Sequence, residues 1–337
     1  MERHRRVALV LGAGGPVGFA FHAGVLSALA DAGWDARDAR LVLGTSIGAA
    51  TGALLRAGME PADLMARAVG EPLSDEGDAL VAKAGGWPNL EQMLQARDGR
   101  SPLSRPWRPP AAPALLLRLA FSPGRIRPGL VLAGLLPRGP VDAAPIVNAF
   151  DGVFGGGWPE RDLWICATDL GRGTRVVFGA PGSPPTSVGT AVAASTAVPS
   201  VFAPVDVGGR NYVDGGAVSP VSTDVLAPAL GALDAVVVSL PMGIGAVPGR
   251  CGFDLPGRWL NHRGAWSGLD AARRAGVPVL LVEPGPHELE VMGYDVFSLR
   301  HRAEIARRAQ TAMACRLRRP GTAVGAVRPA LGLGVGG

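Results

Sequence analysis

A serine lies between two glycines where an apolar run gives way to small residues. Residues 41–55 read LVLGTSIGAATGALL, which places Ser46 in the pattern Gly44-x-Ser46-x-Gly48 between a predicted strand and a predicted helix. Such a turn projects a serine hydroxyl from the end of a strand, and the start of the next helix favours developing negative charge there. An ordinary helix N-cap serine fits the same pattern. A nucleophile and a cap are therefore both open at this position.

A glycine-rich loop follows the first predicted strand, within LVLGAGGPVGFAFHAGVL. Its glycines are Gly12, Gly14, Gly15 and Gly18. Backbone N–H groups at such a helix start bind an anion, either a dinucleotide pyrophosphate or the oxyanion of an acyl-transfer intermediate. The dinucleotide pattern fails because Val17 stands where its third glycine belongs, and no acidic residue ends the second strand. This leaves an oxyanion site built from the Gly14 and Gly15 amides, or a tight turn without a ligand.

Histidine is the usual base for a serine nucleophile, and the chain has five histidines. His262 falls in an Arg- and Trp-containing stretch that is predicted as a loop. His287 follows a late strand in another predicted loop, so it is the candidate for a Ser-His-Asp triad. A surface or packing role is the alternative for both residues.

Asp214 provides a different base. It ends the predicted strand in NYVDGG and is followed by Gly215 and Gly216, which let other backbone approach closely. An ionised carboxylate within hydrogen-bond reach of a serine hydroxyl accepts its proton directly. An Asp-Gly hairpin turn is the alternative.

The elements that would position these residues alternate between apolar strands and helices. Strands are predicted at 6–11, 40–43, 163–170, 174–179, 211–216, 235–240 and 278–284. Helices are predicted at 18–32, from 47 to near 58, 61–70, 188–196, 219–230 and 298–317. This alternation predicts an α/β fold with a mainly parallel sheet covered on both faces.

Two regions depart from this regular pattern within a single predicted domain over residues 1–317. Residues 71–140 mix prolines, arginines and apolar clusters, and predict an insertion with two short helices and irregular links. Within it, residues 107–136 are interpreted either as a mobile cap, with an apolar face for acyl chains and arginines for lipid phosphate, or as an ordinary packed insertion. Residues 318–337 predict a flexible tail.

Net charge and sequence motifs indicate which class of partner to expect. The net charge is +5, yet no helix-turn-helix pattern, zinc spacing or aromatic-basic interleaving accompanies it, so an anionic membrane surface is favoured over nucleic acid. The three cysteines are far apart and indicate neither a disulfide framework nor a metal site. No transmembrane run or signal peptide is evident. We therefore expect a cytoplasmic protein with peripheral contact at the inner membrane face.

Taken in order, these segments resemble the patatin-like phospholipase family. The resemblance rests on the glycine loop opening into HAGVLSAL, on GTSIGA, on AVAASTAVPSVFAPV, on YVDGGAVSPVSTDVL, and on the strands in CATDLGRGTRVVFG. It implies a three-layer α/β/α sandwich, a lipid or other ester as substrate, and no metal or cofactor. It also implies that Ser46 is the nucleophile, that Asp214 is the general base, and that the Gly14 and Gly15 amides form the oxyanion hole of an acyl-enzyme mechanism.

Two positions depart from the family pattern. Ala13 replaces the first glycine of the loop, and Val17 replaces the basic residue before Gly18. The loss of a cation at Val17 predicts a slower enzyme or a different acyl substrate. A His-dependent esterase and a non-catalytic lipid or nucleotide binder are the competing hypotheses.

Overall fold

The structure, a computed structural model, describes residues 6–88, 93, 110–113, 115–116, 128–246, 252, 254–319 and 323–333. Its strands are β1 Val7–Leu11, β2 Leu41–Thr45, β3 Asp162–Asp169, β4 Thr174–Phe178, β5 Val205–Val207, β6 Arg210–Asp214, β7 Ala235–Ser239 and β8 Val279–Val282. Its α-helices include α1 Gly15–Asp31, α2 Ile47–Arg56, α3 Pro61–Val69, α4 Asp75–Lys83, α5 Pro128–Leu135, α6 Ala144–Phe154, α7 Val188–Thr196, α8 Leu255–Arg274, α9 Pro286–Met292, α10 Arg302–Leu317 and α11 Ala323–Leu331. A 3₁₀ helix spans Thr223–Ala232.

These strands form one mostly parallel sheet. Five of them run parallel in the order β3-β2-β1-β7-β8. Strands β4 and β6 pair antiparallel with β3, and β5 pairs antiparallel with β6. Because parallel neighbours need crossover connections, helices follow most of these strands and cover the sheet.

Strand β3 brings two distant strand ends together. Its first part pairs with β2, up to the pair Thr45 and Cys166. Its last part pairs with β6, beginning at Ala167 and Asp214. Strand β4 pairs with one edge of β3, beside residues of both parts. Strands β2 and β6 therefore follow one another along the other edge of β3. One strand runs parallel to β3 and the other antiparallel, and their carboxyl ends therefore meet.

Alternate side chains of the strands enter two separate cores, as the period of two requires. Leu9 and Leu11 of β1 lie in a large core with residues of α1, α2, α3, α7, α10 and α11. Ala8 and Val10 of the same strand lie in a second core with α8 and the 3₁₀ helix. The predicted three-layer α/β/α sandwich is confirmed.

The insertion over 71–140 contains helices α4 and α5, and other parts of it lie outside the described residues. Leu115 and Leu130 pack with Leu170 and Val213 in a small separate core. The described part of the proposed cap is therefore attached to the protein by apolar packing, while Trp107 and residues 117–127 lie outside the described residues. Its mobility stays a prediction.

The prediction of a flexible tail is wrong for residues 323–331. These residues form α11, whose Val324, Val327 and Leu331 are fully buried in the large core beside β7 and β8. The glycines and prolines around this stretch hid an apolar repeat at helical spacing.

Two other elements differ from their predictions in type or in where they begin. The predicted helix over 219–230 is the 3₁₀ helix, which contains Pro228. The predicted helix over 298–317 begins only at Arg302, after His301 in a left-handed conformation. Among the described helices, none combines the length and apolar character needed to cross a membrane.

Candidate active site

Ser46 lies on a sharp turn between β2 and α2. Its backbone has φ 57° and ψ −126°, a strained conformation for a residue with a side chain. The turn needs its flanking glycines because a Cβ at Gly44 would lie 2.4 Å from the Ala49 Cα, and one at Gly48 would lie 2.1 Å from the Leu11 carbonyl oxygen. Ser46 therefore adopts the strained elbow geometry, and its side chain makes no cap hydrogen bond to α2.

Ser46 and Asp214, which are far apart in sequence, meet where β2 and β6 end on the shared edge of β3. The Ser46 hydroxyl donates a hydrogen bond to Asp214 Oδ2 at 2.6 Å. Both side chains are almost fully buried. The structure therefore brings the predicted nucleophile and the predicted base into direct contact.

The Asp214 carboxylate is held by the turn that follows it. The Gly216 N–H donates to its Oδ1 at 2.7 Å. A Cβ at Gly215 would lie 2.4 Å from the Cys166 carbonyl oxygen, so this position must be glycine. Burial raises the pKa of Asp214 to about 6, and the hydrogen bonds from Ser46 and Gly216 limit that rise. The carboxylate is therefore mostly ionised at neutral pH and able to accept a proton.

Ser195 supports the turn in a way that sequence reasoning missed. The Ser46 N–H donates to the Ser195 hydroxyl oxygen at 2.8 Å, and that hydroxyl donates to the Cys166 carbonyl at 2.7 Å. Nearby, the Thr168 hydroxyl donates to the Asp214 carbonyl at 3.0 Å. Ser195 belongs to the stretch AVAASTAVPSVFAPV that carries the family resemblance, and it is fully buried within the apolar α7.

The glycine loop borders the same cavity as Ser46 and Asp214. Gly15 begins α1 with φ +57°, and a Cβ there would lie 2.5 Å from the Val296 carbonyl oxygen. Between described residues, neither the Gly14 nor the Gly15 N–H donates to a protein acceptor. Two free amides at a helix start favour an anion in front of them.

A buried histidine holds the start of this loop in place. The Gly12 N–H donates to the Ser239 carbonyl at 2.9 Å, and the Gly12 carbonyl lies 2.9 Å from His22 Nε2. A carbonyl only accepts, so His22 Nε2 carries the proton and Nδ1 accepts from the Ser239 hydroxyl at 2.8 Å. Burial lowers the pKa of His22 to about 4, so the ring is neutral.

The two departures from the family pattern have structural counterparts. Val17 is buried in the large core, where an apolar side chain packs well and a cation would need a partner. The Ala13 N–H donates to the Pro220 carbonyl at 2.7 Å, which ties the loop to the segment after Asp214. Gly18 lies close to Ile47, and its N–H donates to the Gly14 carbonyl at 2.8 Å.

The structure does not bring the two candidate histidines to Ser46. His262 is in α8 and not in a loop, and its Nδ1 lies 2.7 Å from Glu283 Oε2. His287 is in α9 and not in a loop. Neither lines the cavity at Ser46. Both loop predictions are wrong, because each residue lies in a helix with a proline in its first turn.

Ser46 opens into a cavity of about 980 Å³ with mainly apolar walls. Ile47, Ala50 and Leu54 line it from one face of α2. Asp214, Arg67 and Arg302 are its only charged lining residues in the part of the chain that the structure describes. Across the described ranges there is no group of three or more His, Cys, Asp or Glu residues suited to a metal ion.

Comparison with known proteins identifies the family. The model of the patatin-like phospholipase family matches residues 9–227, so the chain belongs to that family. No curated protein matches it. Among solved structures, VipD from Legionella pneumophila is 12% identical with a TM-score of 0.41, the match covering 94% of this chain and 67% of VipD. The type III effector ExoU is 17% identical with a TM-score of 0.35, the match covering 93% of this chain and 53% of ExoU.

Proposed function

We propose that this protein is a serine lipid acyl hydrolase that cleaves carboxylic ester bonds through Ser46 and Asp214. Membership of the patatin-like phospholipase family supports lipid ester hydrolysis in general. The observation that carries the specific assignment is the 2.6 Å hydrogen bond from the Ser46 hydroxyl to Asp214, at the wall of a large apolar cavity. An apolar cavity of this size accepts an acyl chain.

In the proposed first step, Ser46 Oγ attacks the ester carbonyl carbon while its proton passes to Asp214 Oδ2. The carbonyl oxygen becomes an oxyanion that accepts hydrogen bonds from the Gly14 and Gly15 amides. Collapse of this intermediate breaks the ester C–O bond, and the leaving alcohol takes the proton from Asp214. The product is an acyl-enzyme on Ser46.

In the second step, water attacks the acyl-enzyme and gives its proton to Asp214. The fatty acid leaves, and the proton returns to Ser46 Oγ. No histidine takes part, because Asp214 contacts the nucleophile directly.

A panel of p-nitrophenyl esters and defined phospholipids tests this function and the ester class. We expect hydrolysis by the wild type, none above background by Ser46→Ala, and a loss of about 10²–10⁴-fold in Asp214→Asn, the range for general-base catalysis. His287→Ala serves as the control and is expected to keep its activity. Loss of activity in a folded His287→Ala variant, or full activity in Ser46→Ala, would contradict the mechanism.

We also propose that the mouth of the cavity contacts an anionic membrane. Leu132 and Leu135 on α5 and Trp259 and Leu260 on α8 are each at least half exposed. Leu132 itself lines the cavity, as does Asn261 next to Leu260. Exposed apolar side chains beside a lipid-sized cavity, on a chain of net charge +5, suit the interface of an anionic bilayer.

A further inference from the structure

Two arginines line the cavity at Ser46, and the described residues offer neither of them an ion pair. Arg67 is on α3 and Arg302 begins α10, and these two helices pack together. Among the described residues, no carboxylate pairs with either guanidinium. The cavity therefore presents two cations in walls that are otherwise mainly apolar.

Arg67 is held in an environment that disfavours an isolated charge. Its guanidinium carbon lies 5.5 Å from the centroid of the Trp87 ring, and Trp87 in turn packs against Phe150. Burial, and then the nearby Arg302 guanidinium, lower the pKa of Arg67. A partly buried cation beside a like charge costs free energy that a bound anion offsets.

The chemistry of the Arg67 and Arg302 guanidinium groups determines which anion they bind best. Guanidinium groups present planar, forked donors that match phosphate oxygens, and the Arg67 guanidinium lies over the Trp87 ring. The acidic lining residue, Asp214, is already hydrogen-bonded to Ser46 and Gly216. An anionic group of a substrate is therefore drawn to the arginines, and an acyl chain to the apolar walls.

We propose that Arg67 and Arg302 form a phosphate subsite that selects ester substrates carrying a phosphate group. This inference rests on the proposed ester hydrolysis at Ser46. It assigns headgroup selection to α3 and α10.

The test compares two substrates with the same acyl chain, 1-palmitoyl lysophosphatidic acid and 1-palmitoylglycerol, in detergent micelles. We expect the wild type to have the higher kcat/KM for the phosphate-bearing ester. The ratio of the two kcat/KM values should fall by about 10- to 100-fold in Arg67→Gln and in Arg302→Gln, the range for lost hydrogen bonds to a charged group. The fall should arise mainly in KM, and Arg67→Lys should keep part of the preference because it keeps the charge.

Arg273→Gln is the matched control, because it removes an exposed arginine that stacks on Trp266 outside the cavity. It is expected to leave the ratio unchanged. Should Arg67→Gln fail to fold, the exposed Arg302 decides the test.

The possible results separate the two claims. Hydrolysis with an unchanged ratio in both arginine variants overturns the phosphate subsite and leaves the proposed function standing. Absence of hydrolysis by the wild type overturns both. If the ratio is unchanged in both variants while inorganic phosphate alters palmitoylglycerol hydrolysis in the wild type and not in Arg67→Gln, the site binds free phosphate only, and its assignment to the substrate is overturned.

Discussion

At the residue scale, the proposed mechanism predicts that the ionisation of Asp214 controls activity. Burial raises its pKa to about 6, and only the ionised carboxylate accepts the Ser46 proton. We therefore expect kcat/KM for a soluble ester to be level above neutral pH and to fall tenfold per pH unit below about pH 6. His22, with its pKa near 4, titrates below this range. A pH profile of kcat/KM on a neutral substrate measures this dependence. A midpoint near pH 4 would contradict a buried Asp214 as the base.

A second prediction at the residue scale concerns Ser195. Replacing it by alanine leaves the buried Ser46 N–H and the Cys166 carbonyl without their partner. Each unsatisfied buried group costs about 1–3 kcal/mol, so the free energy of unfolding should fall by a few kcal/mol, and kcat should fall as the turn loosens. Urea unfolding and ester kinetics measure both.

Ser27→Ala is the control for Ser195→Ala. Ser27 is also a buried helix serine, and it accepts a hydrogen bond from Gln310, away from the cavity. It should lower stability without lowering kcat. Wild-type kcat and stability in Ser195→Ala would contradict the support role.

At the element scale, the turn between β2 and α2 depends on close packing against the end of β1. A methyl group at Gly48 would lie 2.1 Å from the Leu11 carbonyl oxygen, so Gly48→Ala must displace one of these elements. We expect a loss of several kcal/mol of unfolding free energy and of at least about 100-fold in kcat/KM, because a misplacement of about 1 Å has that effect.

Gly264→Ala provides the comparison for that variant. Gly264 lies inside α8, and a Cβ there meets no atom within 4 Å. Alanine at this helical site should raise stability by up to about 1 kcal/mol and leave activity unchanged. Equal behaviour of the two variants in thermal unfolding would disprove the packing argument for Gly48.

Elements with a clear apolar pattern were predictable from the sequence. The strand at β1, the helix Val188–Thr196 and the turn at Ser46 follow from local patterns. The meeting of β2 and β6 on one edge of β3 is a non-local pairing, which no local pattern specifies. This is why the residues alone left the base open between Asp214 and a histidine, and why only the family resemblance favoured Asp214.

The features that the sequence did not predict, helix α11 and the role of Ser195, have physical reasons of the same kind. Helix α11 was predicted as a tail because its glycines and Pro329 outweighed the spacing of its apolar residues. Ser195 carries no local signal for its role, since a small serine in a helix is common, and its two partners come from other parts of the chain.

At the scale of the whole molecule, the exposed apolar side chains at the cavity mouth should govern membrane contact. Leu135→Asp and Leu260→Asp change positions that are more than half exposed and do not line the cavity. Each should weaken binding to phosphatidylglycerol vesicles by about tenfold, because burying a leucine contributes about 1.5 kcal/mol or more.

Vesicle sedimentation and fatty-acid release measure this effect, and a short soluble ester is the control. Hydrolysis of the soluble ester should stay near the wild-type rate while release from vesicles falls. Unchanged vesicle binding in both variants would show that another surface meets the lipid.

The proposed function requires that the Ser46 hydroxyl is a nucleophile activated by Asp214. The most direct measurement is intact-protein and peptide mass spectrometry after incubation with a fluorophosphonate, on the wild type, Ser46→Ala and Asp214→Asn. We predict one adduct on the peptide that contains Ser46, none in Ser46→Ala, and labelling slowed by at least about 100-fold in Asp214→Asn. An adduct on a different residue, or equal labelling rates in the wild type and Asp214→Asn, would contradict it.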